Sequence, residues 1–156
     1  MEAVRPPPLI PSLEGADPTQ GLTQDCFRSL FQYLYVEAHW YANLPGRHTL
    51  KVSFRPDHFD HAFYKESRPG QPRSLWKPER AERLLWVGHT IENPCEVYQM
   101  RASRLSLFCR LADREAPWYL VVVDRTGEWV ASFVTAYPLG HRDAAGMRRL
   151  GTPLGR

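Results

Sequence analysis

Two segments near the C-terminal end, residues 118–123 (WYLVVV) and 129–137 (WVASFVTAY), are dense in β-branched and aromatic residues. Between them lies Asp124-Arg125-Thr126-Gly127, which reads as a three-to-four-residue hairpin turn with Gly127 at a left-handed position. Two strands with so short a connection must pair antiparallel. A chain of 156 residues then has room for one domain with a real core built on that hairpin, and not for two. The run from Trp118 to Val123 is also the longest uninterrupted apolar stretch, far short of the ~20 residues that cross a bilayer.

Upstream of the hairpin, Leu105, Leu107, Cys109 and Leu111 alternate with other side chains, and residues 96–100 form a shorter candidate strand. The first half reads as helical. Thr23 is placed to cap a helix from Gln24 to Tyr41, in which Phe27, Leu30, Phe31, Leu34 and Ala38 follow the spacing of one helix face. Asn43-Leu44-Pro45-Gly46 ends that helix, and residues 49–54 alternate as a half-buried strand. A short helix from Asp57 to Lys65, with Asp57 as its cap, follows. After the Pro69-Gly70-Gln71-Pro72 loop, a helix from Pro78 to Ile91 carries the stripe Ala81, Leu84, Leu85, Gly88, Ile91, and Asn93-Pro94 stops it. The expected fold is α+β, with N-terminal helices packed on a C-terminal antiparallel sheet of about four strands. Residues 22–138 form the domain. Residues 1–21, which hold five of the 14 prolines, read as a flexible lead-in, and residues 139–156 as a basic flexible tail.

Charge sharpens that division. Arg142, Arg148, Arg149 and Arg156 against Asp143 account for the whole net charge of +3, so the body of the chain is neutral. Bulk charge therefore gives no argument for nucleic acid, and only local clusters can. Cys26, Cys95 and Cys109 form no CxxC pair, which suits a reduced, cytoplasmic setting better than a disulfide framework. The N-terminus lacks the basic-then-apolar order of a signal peptide.

Three constellations can carry chemistry. His58 and His61 are three apart, so one helix face would present two imidazoles able to act as base and acid near neutral pH. Arg80 and Arg83 have the same spacing, and guanidinium grips phosphate in a bidentate fork. Strand alternation places Phe133, Thr135 and Tyr137 on one face, where the hydroxyls could bond a phosphate oxygen or assist proton transfer. Each has a plainer reading as well: ordinary surface histidines, surface ion pairs with Glu79 and Glu82, and a common strand residue. Asp57 and Asp60 lie near the histidines, but no third cluster with ligand spacing joins them, so no metal is expected. GxGxxG, Walker A, G-x-S-x-G and HExxH patterns are absent, and no cofactor is expected.

The order of the pieces, "HFDHAFYKE", "ERAERLLWVGHTIENPCEVY" and "WYLVVVDRTGEWVASFVTAYP", resembles phage-associated members of the barnase–EndoU–colicin–RelE superfamily of nucleases, over roughly residues 52–138. The resemblance implies a metal-independent endoribonuclease, toxin- or phage-effector-like, that cleaves RNA by attack of the ribose 2′-hydroxyl. It implies His58 and His61 as the acid–base pair, Arg80 or Arg83 as the phosphate-binding position, Thr135 as the terminal-strand hydroxyl, and Tyr137 in the tyrosine role. RNA would be the partner, with room for an inhibitor or immunity protein and no membrane. The alternative is a non-catalytic RNA- or protein-binding module, or a phage accessory protein, on the same fold.

Overall fold

The computed structural model describes residues 22–46, 48–66, 68–71, 73–110 and 117–155, and the expected lead-in lies outside them. Thr23 caps the first helix, α1 (Gln24–Phe31), its hydroxyl accepting from the Cys26 N–H at 3.2 Å. The helix does not run on to Tyr41. It widens into a single π-helical stretch at Gln32–Val36 and gives way to strand β1 (Trp40–Leu44). Trp40, Ala42 and Leu44 turn inward while Tyr41 and Asn43 are exposed, a period of two that overrides the helical spacing before it. Pro45-Gly46, with Gly46 at φ 81°, then turns the chain into β2 (His48–Ser53) as a hairpin.

α2 (His58–Phe63) follows, then a two-stranded hairpin of β3 (Tyr64–Glu66) and β4 (Arg73–Trp76). Asp57 makes no capping bond and instead pairs with Arg55 at 3.3 Å. The helix expected from Pro78 to Ile91 is broken at Glu82-Arg83 into α3 (Pro78–Ala81) and α4 (Leu84–Glu92). Strands β5 (Glu96–Gln99), β6 (Arg104–Arg110), β7 (Trp118–Arg125) and β8 (Val130–Leu139) form the meander. Gly127 in the β7–β8 turn has no left-handed φ, contrary to the expectation. Residues 139–156, read from the sequence as a basic tail, hold α5 (His141–Arg149) and the short β9 (Thr152–Pro153).

The sheet corrects the expected fold class. It is one curled, mixed sheet of seven strands, ordered β1-β2-β8-β7-β6-β5-β9, and not a four-stranded antiparallel sheet under helices. Three additions account for the difference. The end of the expected first helix is a strand, the C-terminal segment adds β9 against β5, and β2 joins β8 in parallel. Around β6 and β7 the sheet is covered on both faces. One face packs Phe27, Phe31, Phe59, Phe63, Leu84, Val87 and Ile91 from the helices against the strands, and the other packs Phe108, Trp118, Leu120 and Val122 under Ala144 and Met147 of α5. This explains why residues 118–123 are buried without alternation. Among the described residues no helix is long and apolar enough to cross a membrane.

Candidate functional site

The parallel pairing of β2 with β8 extends only from Lys51↔Val130 to Ser53↔Ser132. Beyond Ser53 the chain leaves the sheet through Phe54-Arg55-Pro56 into α2, and a cleft of about 580 Å³ opens between α2, the β3–β4 hairpin, α3 and the far half of β8. His61, Lys65, Glu66, Arg68, Pro69, Arg80, Thr135 and Tyr137 line it. Four of the six residues singled out in the sequence therefore share one cavity.

A shift in the strands directs two of them there. Val122 faces Thr135 and Val123 faces Phe133, so β8 carries one extra residue, Val134, at a bulge. Phe133 and Ala136, three apart, both lie in the main core. A flat strand would have put Thr135 with Phe133, as expected from alternation. The bulge instead puts Thr135 and Tyr137 on the other side of the strand from Ala136, lining the cleft.

Arg80 is held from two directions. One guanidinium N–H donates to the Ala62 carbonyl at 3.4 Å, and its Cζ lies 4.9 Å from the centre of the Tyr137 ring. Lys77, at the mouth of α3, donates its N–H to the Phe63 carbonyl at 2.9 Å, which ties α3 to the end of α2. Burial pushes the Tyr137 hydroxyl above its ordinary pKa, opposed by Arg80 and assisted by Asp143, so it stays protonated at neutral pH.

The other two residues do not reach the cleft. His58 is the first residue of a six-residue helix, and its ring folds back so that Nδ1 accepts the Arg55 N–H at 2.9 Å. It is 6% exposed and meets the Phe133 ring edge-on at 5.9 Å, while His61 in the last turn is exposed. Desolvation lowers the His58 pKa, with Arg55 and His61 adding to the effect and Asp57 opposing it. Arg83 precedes α4, and its carbonyl accepts from the buried Tyr119 hydroxyl at 3.3 Å. It does not line the cleft.

Glu66, Lys65 and Arg68 carry no assignment from the sequence. Their signal was a run of charge in a segment read as helix end and loop. Among the described residues, no group of three or more His, Cys, Asp or Glu side chains gathers as a metal site would. A larger cavity of about 660 Å³ lies between the β1–β2 turn and the β5–β9 pair. Among the described residues Glu96 is its only charged lining residue, already bonded to Tyr98 at 3.0 Å and paired with Arg148 at 3.7 Å, whereas the imidazole and guanidinium groups gather in the smaller cleft. Comparison with protein-family models, curated proteins and solved structures found no match to the chain.

Proposed function

We propose that this protein is a metal-independent endoribonuclease acting through the cleft at His61. The observation that carries the reading is the meeting of an imidazole, a fixed guanidinium and two hydroxyls in one open, cationic cavity. In this reading His61 takes the proton from the ribose 2′-hydroxyl as it attacks the adjacent phosphorus. Tyr137, kept protonated by burial, gives its proton to the departing 5′-oxygen. Arg80 and the Thr135 hydroxyl hold the phosphoryl oxygens as charge builds on them. His58 has no part in the chemistry, and Arg80 rather than Arg83 is the phosphate ligand.

The test is incubation of the purified protein with RNA in EDTA, with product ends read by mass spectrometry. Cleavage should persist and leave 2′,3′-cyclic phosphate or the 3′-phosphate from its hydrolysis. His61→Ala should slow it by about 10²- to 10⁴-fold. Products ending in 3′-hydroxyl, equal cleavage of DNA, or activity lost in EDTA would refute the mechanism. RNA that binds and stays intact would return the binding-module reading.

A further inference from the structure

The cleft has two banks. His61, Arg80, Thr135 and Tyr137 come from α2, α3 and β8, whereas Lys65, Glu66, Arg68 and Pro69 belong to the β3–β4 hairpin. The hairpin bank is a built feature. Arg68-Pro69-Gly70-Gln71 closes as a tight turn, with the Gln71 N–H donating to the Arg68 carbonyl at 3.0 Å and Gly70 at φ 84°. Proline second and a left-handed glycine third are the residues such a turn requires, and they fix Arg68 at its first corner.

Below the turn the pairing slips. Lys65 faces Leu75 while Glu66 faces Arg73, leaving Ser74 as the extra residue. Lys65 and Glu66, on the strand opposite that extra residue, both line the cleft. Among the described residues neither Lys65 nor Arg68 has an ion pair.

Charge then decides what the second bank holds. Among the described residues that line the cleft, Lys65, Arg68 and Arg80 stand against one carboxylate, Glu66, while a single phosphodiester brings one negative charge. A cavity of about 580 Å³ is in the range that accepts a ligand much larger than one phosphate group. We propose that Lys65 and Arg68 bind a second phosphate of the same single RNA strand, neighbouring the phosphate held at Arg80. This rests on the RNA reading above and gives its substrate class: an oligonucleotide with phosphates on both sides of a nucleotide, and not a dinucleotide.

Binding of 2′-O-methyl oligonucleotides of two, three and four residues tests it, because these cannot be cut by 2′-attack. The wild-type affinity should rise with each added phosphate. Lys65→Ala and Arg68→Ala should each reduce that length-dependent gain by up to about fivefold, the upper end for one exposed ion pair. Each should also reduce the slope of log affinity against log salt by about 0.7. Both side chains are exposed on a hairpin, so circular dichroism of the variants is expected to match wild type. Unchanged length gain and salt slope in the double variant would overturn the second site while leaving RNA cleavage, measured separately, untouched. Length-dependent binding without any cleavage of unmodified RNA would refute the enzyme and keep the site. Failure to bind any of the oligonucleotides would overturn both.

Discussion

The imidazole of His58 accepts the Arg55 N–H through Nδ1 and lies against Phe133, so a proton on that nitrogen would break one contact and bury a charge beside the other. The folded state therefore favours neutral His58, and its pKa sits below the unfolded value near 6.5. The unfolded chain takes up this proton first. Stability conferred by neutral His58 is complete above about pH 6.5, falls as pH drops below it, and levels off below the lowered folded pKa. His58→Asn keeps an acceptor for Arg55 but cannot titrate, so the fall in Tm between pH 7 and 5 should be shallower in that variant. An equally steep fall would remove His58 as the acid-sensitive group. Turnover should survive this substitution. A loss as deep as that of His61→Ala would mean that both histidines act on the substrate.

At the level of elements, the clearest stretches in the sequence were those where one period runs unbroken. β2 and β6 to β8 have alternation or a continuous apolar run, and each appears within a few residues of its expected place. The helical pattern of the first helix overruns its true end because two periods overlap: Leu34 and Ala38 continue the helical spacing while Trp40, Ala42 and Leu44 begin the strand's. The bulge at Val134 was illegible for another reason, since valine is an ordinary strand residue and only pairing with β7 reveals that one residue is extra. Thr135 and Tyr137 could be named from the sequence, but their separation from Phe133 could not.

The junction of the first helix and β1 has a testable centre. The Trp40 ring packs so closely on Gly88 of α4 that a Cβ there would lie 2.3 Å from a ring carbon. Trp40 cannot easily yield, because its indole N–H is bonded to the Leu34 carbonyl at 2.7 Å. Tyr35 adds a second tie, donating its hydroxyl to the Leu84 carbonyl and accepting the Gly88 N–H at 3.1 Å. Gly88→Ala should cost about 1–3 kcal/mol, the usual range for overpacking, although alanine is the better helix former. Urea unfolding would measure it, and a neutral or stabilising result would show that α4 and β1 can move apart.

For the whole molecule, the decisive feature is that β6 and β7 are covered on both faces, and the second cover comes from the segment that composition marked as a tail. α5 is mostly polar and its apolar stripe is little more than Ala144 and Met147, too narrow to announce it in the sequence. Part of its grip is cationic. The Arg148 guanidinium lies 4.2 Å from the centre of a Trp118 ring and 5.7 Å from that of Phe108, with Glu96 3.7 Å away. On the sequence alone, the arginines after Gly140 promise only diffuse, salt-screened attraction for RNA, so their removal should weaken binding at low salt and little else. The packing leads to a different expectation. Removing residues 141–156 would strip the cover from Phe108, Trp118, Leu120 and Val122 and take β9 from the edge of β5. Burial of each such side chain is worth about 1.5–3 kcal/mol, and partial exposure of several should lower stability by at least about 2 kcal/mol. Thermal unfolding of the truncated chain, with a dye that reports exposed apolar surface, should show a lower Tm and increased dye binding. An unchanged Tm and no dye signal, with weaker RNA binding confined to low salt, would restore the simple basic tail.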